Sequence, residues 1–538
     1  MDILKLGLTT LPMILPFIFL VLLRWGAQKG MFVSSIIFIV LAYYIWGMDL
    51  SVIGASIIQG VHKALTILYI LFGAIMLLKV LTYTKSVEII KGGFRQISDD
   101  MRVQAVIVGV LFVALIEGAA GFGAPAVVAA PLLMSLGFTP LSSAVIALVG
   151  DSVPVSFGAV GTPVLVGLGD IKHSSGDFFH QIANHITMID SVMGILLPTI
   201  VIVFLTLNFG KRKSIKDVFE ILPWTLMIGI FYAVLAIIDS FLLGPEFVSL
   251  VTPILTLVLA TVTAKKKFLL PKHTTWTLEG KFENSQMPKK DFTHSRKRLI
   301  LAWMPYLLLV VLLIATRMIP PLKAFCLHAI DFGLTNILHE GFNSSWQVLY
   351  SPGSVLLVSA ILAFFLERSK KEVLIKSFFD SIYTVKGAAI VLVFTLALVQ
   401  TFVNSAHSGM DISMPSYLAH YLAEVFKQAW VFVAPFLGIL GAFITGSATV
   451  STLTFATIQS QVASGVGLDH FLILAEQVIG GAAGNMICIH NVVAVATVVG
   501  LINKEGDIIK KTLPMAIFYG LMAGLMSFIL MHFFHHIG

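Results

Sequence analysis

Residues 117–163 read EGAAGFGAPAVVAAPLLMSLGFTPLSSAVIALVGDSVPVSFGAVGTP, and residues 445–500 read TGSATVSTLTFATIQSQVASGVGLDHFLILAEQVIGGAAGNMICIHNVVAVATVVG. Both stretches lie in an apolar chain, yet both are crowded with Gly, Ala, Ser and Thr and carry an occasional carboxylate, Asn or His. A helix facing lipid has no use for such residues. A helix broken at membrane depth needs them, because its freed backbone groups must be buried in protein or open onto a polar cavity. A pair of such stretches in corresponding halves points to the binding site of a secondary transporter.

The surrounding chain agrees. Of 538 residues, 57% are hydrophobic and 12% charged, and the mean hydropathy is +0.95; soluble domains carry about 25% charged residues. Apolar spans lie near 5–24, 31–47, 64–83, 103–118, 119–136, 140–169 (broken), 186–208, 222–242, 246–264, 299–317, 352–366, 387–405, 429–445, 447–466, 468–501 (broken) and 512–533. The expected fold is therefore an all-α polytopic membrane protein with about 14–16 transmembrane or re-entrant segments. The spans 119–136 and 447–466 either cross or dip in and return as hairpins; Pro125 and Pro131 in the first, and the polar load of the second, favour irregularity. The N-terminal apolar run lacks a basic start and a small-residue cleavage site, so it reads as a retained helix. Cys326 and Cys488 make no disulfide framework, and no metal-spaced Cys/His cluster occurs, so neither metal nor cofactor is expected.

The formal charge of +7 is no nucleic-acid signal, because the Lys and Arg collect in a few loops. Residues 24–30, 85–102, 211–216, 265–298, 368–371 and 503–511 are basic and read as cytoplasmic; 48–63, 170–185, 318–350 and 406–427 are poor in Lys and Arg and read as external, and if the spans 119–136 and 447–466 both cross, both termini are external too. The loop before the first motif is basic, whereas its counterpart before the second has one lysine; after the motifs the order reverses. Matching elements facing opposite sides are the mark of inverted repeats. The expected organisation is a first repeat over 1–208, a two-helix connector with a polar, mobile cytoplasmic loop over 209–298, and a second repeat over 299–538.

The segments GFGAPAVVAAPLL (121–133), VGDSVPVSFGAVGTP (149–163) and GGAAGNMICIHNVVAVATVVG (480–500) resemble the bacterial L-lactate permease family, over nearly the whole chain. The resemblance implies a multi-pass carrier in the bacterial plasma (inner) membrane, moving L-lactate, with D-lactate and glycolate, together with protons. By fold analogy with a larger group of ion transporters, a transport domain would slide against a scaffold in an elevator arrangement, as a monomer or homodimer.

The residues themselves fit a small carboxylate. Half-helix N-termini offer free N–H groups and a positive dipole end. Gly121, Gly123 and Pro125 suit such a start in the first repeat, and Thr445, Gly446, Ser447 and Thr449 in the second. The hydroxyls of Ser447, Thr449, Ser451 and Thr452, with Ser152 and Ser156, and the amides of Asn485 and Asn491 complete the substrate-binding candidates; the bland reading is close helix packing by small residues. Ionisable groups at bilayer depth must face a cavity, pair or hold a proton. Asp151 and Glu117 lead as proton-coupling candidates, followed by Glu476 and His490; Asp151 equally suits a helix cap, and His490, also a substrate-binding candidate, suits a buried neutral role. Asp190 reads as interfacial. Lys79, Arg24 and Arg317 read as snorkelling, so binding would rest on dipoles, amides and hydroxyls.

Within transport, the alternative is a sodium- or proton-coupled carrier of another small organic anion, such as a dicarboxylate. No HExxH, GxSxG or phosphate-loop motif supports an enzyme, and nothing resembles a selectivity-filter ring.

Overall fold

The computed structural model describes residues 3–23, 25, 27–95, 97–119, 121, 123–171, 175–210, 213–271, 276–278, 296–407, 412–501 and 504–533. Among these, nine helices are long and apolar enough to cross a membrane, and one pair, Pro140–Gly150 and Pro154–Leu165, passes the same test together but is bent by 51°. Val258 and Val311 are both 58% exposed, the arrangement expected where the surrounding solvent is lipid.

The helices form two groups. In the first, Leu50–Tyr83 and Lys371–Val403 pack along each other, flanked by Ala27–Leu41, Pro352–Leu366 and, outside the latter, Arg296–Met318. The close approach requires a missing side chain: a Cβ on Gly60 would sit 2.6 Å from the Leu396 carbonyl oxygen. In the second, Gly176–Phe209 packs against Leu222–Leu242 and His470–Asn485, while Trp430–Thr445 packs against His470–Asn485, Ala448–Val466 and Glu505–Phe533. The broken segments lie in this second group.

Several expectations change. The span expected at 64–83 starts at Leu50, within the stretch 48–63 expected outside the span. Its polar residues look like a loop but are satisfied by partners: the Asn404 amide donates to Ser56 Oγ (3.0 Å) and Gln59 Oε1 (2.9 Å), His62 lies 2.7 Å from Ser344 Oγ and 2.9 Å from the Phe332 carbonyl, and Lys63 pairs with Asp170. The external stretch 318–350 folds into a helix, Pro320–His328, and an antiparallel hairpin, Leu334–Ile337 with Phe342–Ser344, neither of which the sequence announced. Among the described residues, the segment 119–136 holds the end of Val113–Ala119 and the 12-residue helix Ala124–Ser135, ~18 Å long and short of the ~30 Å apolar core. The 19 residues of Ala448–Val466 are long enough, at ~28 Å, but too polar to count as an ordinary span. Most of the loop 265–298 lies outside the described residues; its described part at Trp276 is pinned, with the Met101 N–H donating to the Trp276 carbonyl (3.1 Å) and the Trp276 indole to Asp217 (3.0 Å).

Candidate functional site

The same succession of elements occurs twice. In the first half, helix Val113–Ala119 is followed by Gly121 (φ 53°) and Gly123 (φ 79°), then Ala124–Ser135, a turn, Pro140–Gly150 capped by Thr139, a break, and Gly158–Leu165. In the second, Trp430–Thr445 meets Gly446 (φ 76°), then Ala448–Val466 capped by Ser447, a turn, His470–Asn485 capped by Asp469, a break, and Ile489–Val498. Left-handed backbone costs other residues about 1–2 kcal/mol each, which explains glycine at both first breaks. The second break of the first half departs from this rule. Ala159 (φ 42°), Val160 (φ 60°) and Gly161 (φ 76°) are left-handed in succession. Val160 is β-branched and fully buried, so surrounding packing imposes a conformation such a residue avoids.

The two halves cross at their breaks. Thr162 Oγ1 lies 3.2 Å from Thr449 Oγ1. At a second corner Gly123 abuts Asn491, whose Oδ1 would be 2.2 Å from a Cβ on that glycine. The Asn491 amide donates to Asn485 Oδ1 (2.8 Å) and to the Asn485 carbonyl (3.2 Å). Around the first corner is a cavity of about 20 Å³, lined by Glu117, Gly121, Gly158 and Thr162 from one half and by Gly446, Ser447, Thr449 and Asn485 from the other, among others. That volume holds about one water. Ala448–Val466 begins in its wall, so the positive end of a 19-residue helix faces it. No Lys, Arg or His is among the described residues lining it. A far larger depression, about 1000 Å³ between the 416–428 and 461–466 segments, contains none of the breaks.

The acids are packed into the same place. Glu117 is 3% exposed and Asp151 2%. The Glu117 carboxyl is pressed against Gly158, where a Cβ would lie 2.0 Å from Oε1, and it faces the Asp151 carboxyl. Glu117 Oε2 and Asp151 Oδ1 have no hydrogen-bond partner. Two buried carboxyl groups in contact repel when both are bare, so the pair is suited to sharing a proton.

The remaining candidates are distributed as follows. Gly121, Gly446, Ser447, Thr449 and Asn485 line the cavity, and Gly123 and Asn491 make the second corner. The hydroxyls of Ser152, Thr445, Ser451 and Thr452 donate to backbone carbonyls of Val149, Gly441, Gly438 and Ala448. Ser156 donates to Asp190 (3.3 Å). Glu476 is fully buried beside Ser527, outside the cavity lining. His490 lies at the start of Ile489–Val498, and its side chain is outside the described residues. The start of Ala124–Ser135 faces Asn491, not the cavity; the left-handed turn at 159–161 occupies the corresponding place. Asp190, expected at an interface, is buried and accepts a hydrogen bond from Tyr519 (2.7 Å). Thr162 was overlooked, although it stands in the quoted stretch immediately before Pro163; nothing in the sequence links Tyr519 to the breaks.

The L-lactate permease family model matches residues 8–534. The chain belongs to the L-lactate permease family. A relative from Haemophilus influenzae (strain ATCC 51907 / DSM 11121 / KW20 / Rd) is 32% identical over 519 residues, 91% of each chain. The L-lactate permease of Bacillus subtilis (strain 168) is 28% identical over 532 residues, 92% of this chain and 90% of its own. The glycolate permease GlcA of Escherichia coli (strain K12) is 27% identical over 559 residues, 97% of this chain and 95% of its own. Membership in a permease family, with nine membrane-length apolar helices among the described residues, makes this a multi-pass membrane transporter, and the relatives it resembles are bacterial permeases.

Proposed function

We propose that this permease carries L-lactate, with D-lactate and glycolate as further substrates, in symport with protons and by alternating access. The observation that carries the reading is the cavity where the two broken halves meet: a helix N-terminus, hydroxyls and Asn485 on one side, and Glu117, with Asp151 beside it, on the other. The neutral donors and the dipole end suit one carboxylate and one hydroxyl. The acid pair supplies the coupling. At about 5 Å and an effective dielectric of about 20, two like unit charges repel by about 3 kcal/mol, roughly two-hundredfold in affinity. A pair that shares one proton still carries one negative charge, so an anion binds well beside Glu117 only when the pair takes up a second proton and becomes neutral, and that proton and the anion leave together for the same reason.

The cavity is smaller than lactate, so loading requires the Gly158–Leu165 and Ala448–Val466 pieces to part. In this reading the group containing the breaks moves against the group built on Leu50–Tyr83 and Lys371–Val403, as in an elevator, and the two halves act as inverted repeats. The test is uptake of labelled L-lactate into proteoliposomes under an inward proton gradient. Wild type should accumulate lactate, and Asp151→Asn and Glu117→Gln should lose accumulation while retaining part of the exchange. Accumulation driven by sodium alone, or none in active protein, would overturn the coupling.

A further inference from the structure

A second cavity, also about 20 Å³, lies on the other side of the broken segment 151–158. Val153 and Phe157 face it, while Val155 and Gly158 face the first cavity, so this short segment is the wall between the two. The second cavity is lined by Asp190, Thr187, Ser191, Tyr232 and Ser249. Asp190 is 6% exposed; Tyr519 Oη donates to its Oδ1 at 2.7 Å and Ser156 Oγ to its Oδ2 at 3.3 Å. None of this is used by the reading given above.

We infer that Asp190 is a second proton-binding site, separate from the substrate cavity, whose protonation is passed to Glu117 through Ser156 and the 156–158 segment. The chemistry follows from hydrogen-bond direction. As a carboxylate, Asp190 accepts from both Tyr519 and Ser156. A proton added to Oδ2 turns that oxygen into a donor, so Ser156 must rotate and accept, or release it; no other bond is made or broken. Ser156 stands two residues before Gly158, against which the Glu117 carboxyl is pressed. A small shift of this wall therefore changes the space left for the Glu117 carboxyl. The titratable groups facing Asp190 are Tyr519 from Glu505–Phe533 and Tyr232 from Leu222–Leu242; Tyr232 also feels Asp151 at the break and Asp239, which accepts from Thr252 (2.6 Å). The neighbouring helices Pro140–Gly150 and Gly158–Leu165 carry no ionisable side chain. Arg102 binds Asp100 and Glu220, and Glu476 lies by Ser527.

The inference rests on proton coupling, and the test separates the two. Purified wild type, Asp190→Asn, Tyr519→Phe and Ser156→Ala are reconstituted, and both gradient-driven accumulation and lactate counterflow are measured between pH about 5 and about 8. The expectation is that Asp190→Asn lowers accumulation tenfold or more, lowers counterflow much less, and flattens the pH profile of counterflow. Tyr519→Phe should shift that profile without abolishing its slope, and Ser156→Ala, which removes the hydroxyl between Asp190 and the wall, should weaken accumulation and flatten the profile as Asp190→Asn does. If wild type shows no proton-driven accumulation, the coupling reading itself fails. If wild type accumulates and Asp190→Asn does so equally, with an unchanged pH profile, the second site is refuted while coupling stands. Equal loss of accumulation and counterflow in Asp190→Asn, with wild-type pH profiles in Tyr519→Phe and Ser156→Ala, would reduce Asp190 to a packing role and also refute it.

Discussion

Gly158→Ala isolates the geometry of the acid pair. The backbone at Gly158 has φ −61° and ψ 157°, a conformation any residue adopts, so the substitution carries no backbone penalty. Its methyl carbon would lie 2.0 Å from Glu117 Oε1, 2.9 Å from Cδ and 3.3 Å from Cγ. A carbon–oxygen contact relaxes only well beyond 3 Å, so the carboxyl must move by roughly 1 Å. The obstacle is the end of one side chain, so the cost to folding stays within the about 1–3 kcal/mol of an overpacked core. The cost to transport is larger, because displacing a reacting group by about 1 Å is worth about a hundredfold. The expected outcome is a protein that purifies and melts near wild type but exchanges lactate roughly 10- to 100-fold more slowly. Glu117→Asp in the same background withdraws the carboxyl by one methylene and should restore part of the rate, a coupling that a double-mutant cycle reads directly. Gly118→Ala is the contrasting control, since its methyl would meet the Ser249 carbonyl oxygen at 1.9 Å and no side chain can yield; it should lose folded protein. Wild-type exchange in Gly158→Ala, or no rescue by Glu117→Asp, would refute the placement of Glu117.

Three further outcomes follow from the same contacts. Gly446→Ala forces a left-handed residue (φ 76°) at the start of Ala448–Val466 and should lower stability in detergent by about 1–2 kcal/mol, read as a fall in Tm. Burial pushes the Asp170 carboxyl up, but the Lys63 ammonium and the Gln400 amide (2.9 Å) outweigh it and hold Asp170 below the usual carboxylate range. A depressed folded-state value stabilises the protein above about pH 4 and the benefit disappears as pH falls through the folded value; Asp170→Asn should therefore lower stability by about 1.5–3 kcal/mol at neutral pH, with the gap to wild type closing in acid. Lys63 and Gln400 belong to the first helix group and Asp170 follows the broken helix of the second, so a short cross-linker with a thiol-reactive electrophile at each end, joining Lys63→Cys to Asp170→Cys with Cys326 and Cys488 replaced, should stop exchange, whereas free exchange in the linked protein would exclude sliding between the groups.

The parts of this architecture that depend on local chemistry were legible in the sequence. Glycines marked both first breaks, followed by Ala124 and Pro125 in the first half and by the capping Ser447 in the second, because left-handed backbone and helix starts each have a residue signature. The contacts between the two broken stretches were not legible: nothing local pairs Thr162 with Thr449 or Asn491 with Gly123. The left-handed turn at 159–161 was illegible for a physical reason, since Ala159 and Val160 adopt it only under tertiary packing. The helical start at Leu50 was hidden because Ser56, Gln59, His62 and Lys63 look solvated until Asn404, Ser344, Asp170 and Gln400 are brought to them. Asp190 was misplaced for a similar reason, because Tyr519 arrives from the far end of the chain.

The two halves differ where their helices break. Pro140–Gly150 is capped by Asp151 and His470–Asn485 closes with Asn485, each preceded by a glycine, so an acid stands at one break and an amide at the other. An Asp can take up and release a proton, whereas an Asn remains a donor at every pH. On the proposed mechanism, this asymmetry divides the work: the first break reports the proton and the second holds the anion. Asn485→Asp removes the division. Asn485 lines the cavity together with Glu117, so a second charge there adds about 3 kcal/mol of repulsion against a carboxylate at about 5 Å. The half-saturating lactate concentration for exchange should rise by roughly two-hundredfold near pH 7.5 and fall back toward wild type near pH 5, as the new carboxyl is protonated. A uniform loss at both pH values would assign Asn485 to packing. An unchanged half-saturation would mean that the anion does not bind in this cavity, since no carboxylate can sit beside two others without the cost appearing in its affinity.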